Sequence, residues 1–160
     1  MADKFFSAFD YKFYAATATT SADSHPTSSS GLTQIVGLTD AGIQVSTDTV
    51  DVVDYSSTAG FKKSLATAQS YSISCELNID TTSTGYQLLK DASLAAVSGT
   101  FLKFYRESPD HSGVNVREKH AGIVQVTNFS EDIKSGGIAK CTFTLSGYGS
   151  VTYTKATADA

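Results

Sequence analysis

Basic clusters are missing from this chain, and so are most other signatures of chemistry. Its 160 residues hold 12 Lys and Arg against 16 Asp and Glu, a formal net charge of −4. A surface that grips nucleic acid gathers Lys and Arg to neutralise phosphates. The densest basic spots here are Lys62-Lys63 and Arg117-Glu118-Lys119, and the second contains its own acid. Tight nucleic-acid binding is therefore disfavoured, although nucleic acid could pass a mildly acidic surface without adhering. No apolar run approaches the ~18–20 residues needed to cross a bilayer. The opening residues, Met1-Ala2-Asp3-Lys4-Phe5-Phe6, lack the extended apolar stretch of a signal peptide. The expected surroundings are aqueous, with no membrane contact.

Cysteine is scarce. Cys75 and Cys141 form neither a CxxC pair nor a metal spacing, and each sits among apolar neighbours of an alternating pattern. The expectation is two buried, reduced thiols acting as small hydrophobes; a disulfide stays open, since spacing alone cannot say whether they meet. Catalytic motifs are absent too. His25, His111 and His120 match no common zinc spacing, and no Gly-x-Ser-x-Gly elbow occurs among the many serines. Asp48, Asp51 and Asp54 lack the Gly and closing Glu of an EF-hand calcium loop. Gly147-Tyr148-Gly149 leads into no helix, so a turn or a close backbone approach fits it better than a phosphate cradle. Neither a cofactor nor an enzymatic activity is expected.

Apolar residues make up 41% of the chain, Tyr and Phe supply the aromatics, and charged residues are only 18%. Disorder would need higher net charge and fewer aromatics. The length suits one domain over residues 1–160. Tyr71, Ile73, Cys75, Leu77 and Ile79 alternate with Ser72, Ser74, Glu76, Asn78 and Asp80, the period of a half-buried strand. Ala139, Cys141, Phe143 and Leu145 alternate likewise, and Gly136-Gly137 suggests a hairpin with Ile123–Phe129. Further strands are expected at Phe9–Ala18, Leu32–Leu38, Ile43–Thr47 and Phe101–Arg106. One helix is expected over 84–96, capped by Ser83 or Thr84, with Leu88, Ala92 and Ala95 on its apolar side.

Two polar stretches read as loops, 16–31 and about 46–68. The second carries Val50, Val52, Val53, Tyr55 and Phe61, which a solvated linker would lack. They call for burial against a neighbouring subunit or in a small cluster on the same chain. The resulting expectation is a mainly β, antiparallel sandwich or barrel with one short helix and a long inter-subunit loop.

The order of these features resembles the phage major tail tube protein family over roughly Leu32 to Tyr153. The resemblance rests on Gly37-Leu38-Thr39-Asp40, the run Asp48–Ser57, Gly60-Phe61-Lys62-Lys63-Ser64-Leu65 and the strand Ser70–Asp80. It continues through Gly85-Tyr86-Gln87-Leu88-Leu89, His120-Ala121-Gly122-Ile123-Val124 with Asn128-Phe129-Ser130, and Cys141–Ser150. Many relatives carry Thr where this chain has Tyr55. The resemblance implies a structural subunit of the virion tail that forms hexameric rings, stacked into a tube through which DNA leaves the capsid. Assembly in the host bacterial cytoplasm, with sheath, tape measure, baseplate and terminator proteins as further partners, is part of that expectation. Val50, Val52, Asp54, Tyr55, Phe61 and Lys62 are then the expected contacts between rings. Ser72, Ser74, Glu76 and Asp80 are candidates for the lumen wall, unless that face meets outer solvent. The inner tube of a tailocin or a type VI-like apparatus is the near alternative. A monomeric carbohydrate-binding sandwich, using its Tyr residues, is the distant one.

Overall fold

Strands dominate because apolar and polar residues alternate along most of the chain, and a strand sends successive side chains to opposite faces. The computed structural model describes residues 11–19, 24–52, 63–95, 99–109 and 114–158. Among them are β1 (Lys12–Ala18), β2 (Thr33–Gln34), β3 (Leu38–Val52), β4 (Lys63–Asn78), α1 (Thr84–Leu94), β5 (Phe101–Glu107), β6 (Val114–Val116), β7 (Lys119–Asp132), β8 (Lys140–Thr154) and β9 (Thr157–Ala158). The main sheet is antiparallel throughout, in the order β2-β1-β5-β7-β8-β4-β3, and β6 pairs with β9 separately.

The two ends of that order, β2 and β3, are successive parts of one run of chain. Ile35 N donates to Phe13 O (2.8 Å) on the β1 side, and Gly37 O accepts from Asn78 N (3.0 Å) on the β4 side. Between them Gly37 turns the corner at φ +87°, a backbone region that other residues enter at a cost. The sheet thus curls until its ends meet. Arg106 reaches across the seam from β5 to Ala41 O (3.0 Å) on β3. Closure leaves few free edges and encloses one core.

That core is built in cross-strand rows. Ile43, Ile73, Leu145 and Val126 lie abreast on β3, β4, β8 and β7, and Ala41, Cys75 and Phe143 follow in the next inward row. Phe13 stacks on Phe104, with ring centroids 5.7 Å apart. Tyr71 lies over Gly147, where an added Cβ would fall 2.3 Å from its ring, and its hydroxyl donates to Ile123 O (2.7 Å). Burial pushes the Tyr71 phenol up to about 12. Cys75 and Cys141 are both buried free thiols on adjacent strands, raised by burial to about 12 and about 11.

Helix α1 closes one end. Gly85, Tyr86, Leu89 and Ala92 face the core, spaced as one helical side; Ala92 is as expected and Leu88 packs against the edge of the core, whereas Ala95 is the C-cap and not part of the inner side. Both Leu88 and Ala95 are only half-buried. Ser83 occupies the N-cap position, but its side chain makes no capping bond. Instead the Tyr86 hydroxyl and Lys90 Nζ (2.8 Å) both donate to Glu131 Oε1 on β7, tying the helix to the sheet.

Several boundaries differ from the sequence expectation. The stretch 46–68, expected as loop, is strand wherever it is described: β3 runs on to Val52 and β4 begins at Lys63. The expected strand 32–38 is split: Thr33–Gln34 pair with β1, Leu38 already pairs with Leu77 on β4, and the chain changes partner at Gly37 between them. Ala16–Ala18 belong to β1, not to the loop 16–31. Gly147-Tyr148-Gly149 lies inside β8. There Gly147 answers a close approach by Tyr71, and Gly149, at φ +78°, sits in a register irregularity against β7.

Candidate functional site

Four long strands, β3, β4, β8 and β7, set two surfaces apart from the rest of the molecule. Their outward face is a polar wall. Gln44, Ser72, Ser146 and Gln125 form one row across it, and Gly42, Ser74, Thr144 and Thr127 the next. Neither row contains a charged residue. A third row, Asp40, Glu76, Thr142 and Ser130, brings in two acids. The wall follows from the alternation itself: the same strands that send Ile73 and Leu145 into the core must send Ser72 and Ser146 out.

Hydrogen bonds within the wall hold its side chains in place. Thr127 and Ser146 hydroxyls lie 2.9 Å apart. Glu76 Oε1 accepts from Thr39 Oγ1 (3.0 Å) and Lys140 Nζ (3.1 Å), and these donors keep its carboxyl below the usual range. On β7, Asn128 adopts φ 54° in a bulge between Thr127 and Ser130, which lets Thr127 and Ser130 both face outward while Phe129 stacks on Phe143.

Ser72, Ser74 and Glu76 therefore share one face, as the alternation implied. Asp80 does not share it, because β4 ends at Asn78. The Asp80 carboxylate turns back to accept from Thr82 N (3.0 Å) and Thr82 Oγ1 (2.6 Å), a local turn that competes with strand geometry.

The second surface is the far half of β3 and β4. Residues 45–52 pair with 63–71, yet from Ser70 outward every side chain of this two-stranded arm is exposed. Val50 and Leu65 stand directly opposite each other, 53% and 58% exposed, with Val45 and Val52 also exposed. Polar cross-links stiffen the ribbon: Ser64 Oγ donates to Asp51 Oδ1 (2.6 Å), Thr67 Oγ1 to Asp48 O (3.1 Å) and Gln69 Nε2 to Thr47 Oγ1 (3.2 Å). Asp54, Tyr55, Phe61 and Lys62 lie outside the described residues. Leu65 and Val45, which sequence reasoning did not single out, are exposed apolar side chains of the same two strands.

His25 and His120 make their contacts within the body of the subunit, and His111 lies outside the described residues. His25 Nδ1 meets Thr152 Oγ1 (2.6 Å). His120 packs on Tyr153, with Arg106 Nη2 3.2 Å from its Nδ1 and Glu118 Oε1 3.7 Å from its Nε2. Asp48 and Asp51 belong to one strand at odd spacing, so their side chains leave from opposite faces and converge on no cation. Among the described residues no three His, Cys, Asp or Glu side chains are grouped to hold a metal ion.

No curated protein sequence matches the chain. Solved structures do. It is similar to a chain in the tail of an empty GTA particle refined with helical C6 symmetry, at TM-score 0.67 and 19% identity, covering 94% of this chain and 100% of that one. It is also similar to a chain of the six-fold symmetrised anti-feeding prophage baseplate, at TM-score 0.65 and 10% identity over 99% and 97% of the two chains. The SPP1 tail tube protein gives TM-score 0.62 and 11% identity over 92% and 77%. At these identities the likeness is one of fold. The family model described as phage tail tube protein matches residues 19–153. A barrel with a polar outer wall and an unsupported two-stranded arm, matched by that model over most of its length, belongs to the phage tail tube protein family.

Proposed function

We propose that this chain builds the tail tube of a virion by closing into hexameric rings that stack, with the polar wall of β3, β4, β8 and β7 lining a channel for DNA. The family is structural, and the chain is a structural protein and not an enzyme. The observation that carries the reading is the arm. An isolated two-stranded ribbon is marginal in water, and this one exposes Val45, Val50, Val52 and Leu65 as well. Covering side chains that are about half exposed contributes on the order of 1 kcal/mol each. Repeated around a ring and along a tube, that burial contributes to assembly at every subunit.

The wall suits a channel for a polyanion. The hydroxyl and amide rows offer no cation to hold phosphate, Lys140 beside the third row is paired with Glu76, and Asp40 adds mild repulsion. Six-fold symmetry in the similar GTA and anti-feeding prophage structures supports the ring number. The anti-feeding prophage likeness favours, as a second reading, the inner tube of a tailocin or type VI-like apparatus. Negative-stain imaging of the purified chain tests the proposal: rings or tubes with a central hole are expected. A species that stays monomeric at high concentration across a range of salt would sink it.

A further inference from the structure

The strands of the polar wall give the molecule two poles. β3 runs from Leu38 out to the arm and β4 returns to Asn78, while β7 runs from the arm side to Asp132 and β8 comes back. The β7–β8 connection, 133–139, therefore lies at the pole opposite the arm. At ~3.3 Å per residue, Leu65 and Asn78 are roughly 40 Å apart along β4. The arm of a chain cannot reach its own opposite pole.

That pole carries Ile133 and Ile138, each 71% exposed. The connection that bears them is pinned. Gly137 N donates to Lys134 O (3.3 Å), Ile79 N donates to Ala139 O (2.8 Å), and Lys134 pairs with Asp132 (3.1 Å). Two β-branched apolar residues held in water on a bonded turn, where polar residues usually serve, mark a contact surface.

We propose that the β7–β8 connection is the landing site for the arm of a second copy in the next ring, with Ile133 and Ile138 packing against Val50, Leu65 and Val52. This rests on the stacked-ring reading above. Rings of one chain stacked in one direction meet opposite pole to opposite pole at every junction, a heterologous contact that propagates. A second copy is thus the partner that brings the arm's apolar residues to this turn once per subunit. Both lysines of the turn are already paired, Lys134 with Asp132 and Lys140 with Glu76, so the contact this turn offers is apolar and not ionic.

Two measurements test the contact. Leu65→Cys and Ile138→Cys chains, purified separately, mixed, assembled and mildly oxidised, should give a disulfide-linked dimer of the two variants; the native thiols are buried and do not compete. Tubes that form without that cross-link overturn the proposal. Ile133→Glu with Ile138→Glu should keep the subunit's melting temperature, because both side chains are exposed, and should yield rings that do not stack. Tubes of ordinary length from that double variant would equally overturn it. Absence of rings and tubes from the unaltered chain would instead remove the stacked-ring reading, and this contact with it.

Discussion

Tyr71 shows how one side chain organises its neighbourhood. Its ring occupies the space that a Cβ at Gly147 would need and its hydroxyl the space of one at Gly122, and that hydroxyl donates to the Ile123 carbonyl. Gly147→Ala should destabilise the subunit by about 1–3 kcal/mol through overpacking, and Tyr71→Phe by about 1 kcal/mol through the lost hydrogen bond; chemical denaturation of the subunit reads both. His120 makes a second prediction. Burial comes first among the causes that lower its pKa, then Arg106, with Glu118 acting in the opposite direction. The folded state resists a proton that the unfolded chain accepts near pH 6.5, so its contribution is whole above that pH and is lost as pH falls through the folded value. Denaturation midpoints should drop between pH 7.5 and 5.5, and a His120→Phe chain should show a smaller drop. Were the two profiles to coincide, the assignment to His120 would be wrong. Cys75 and Cys141 should resist thiol reagents at pH 8 until the subunit unfolds. The inward direction of Tyr71, Cys75 and Cys141 was readable from alternation. The glycines that admit Tyr71 were not, because Gly147 and Tyr71 are far apart in sequence and meet only through the β4–β8 register.

Among the elements, the arm is where sequence reasoning and structure part most. Periodicity reveals a strand only when one face is buried and the other wet. From Val45 to Val52 and from Lys63 to Ser70 both faces are exposed, so the alternation vanishes although the ladder continues. The Val and Thr content still carried a strand preference. Helix α1 was legible as a helix, but Leu88 and Leu89 are adjacent. Which of them turns inward depends on where the sheet lies, and Tyr86 clasping Glu131 settles it for Leu89. Val50→Asp with Leu65→Asp should leave the subunit's melting temperature nearly unchanged, since both are exposed already, and should abolish tubes in electron micrographs. Undiminished tubes would leave the arm without a role in assembly.

At the scale of the whole molecule, the mainly β fold with one helix was legible, because the strands of the body have one dry face. Closure through a single run from Thr33 to Val52 was not, since it depends on a change of partner at Gly37. Assembly should appear in hydrogen exchange. Amides of 45–52 and 63–70 should exchange quickly in dissociated subunits and slowly in tubes, whereas 73–77 and 141–145 stay slow in both. Equal rates for the arm in both states would contradict its burial on stacking. The same continuous strands have a mechanical meaning. β3 and β4 run unbroken from barrel into arm, with one bulge where Asp48 and Thr49 face Ala68 and Ala66, so tension applied at the arm travels along both strands. Ladder hydrogen bonds lie across that direction and are strained together, not unzipped one after another. A column of such subunits would resist stretching as a rope of overlapping fibres does, without a covalent bond between any two of them.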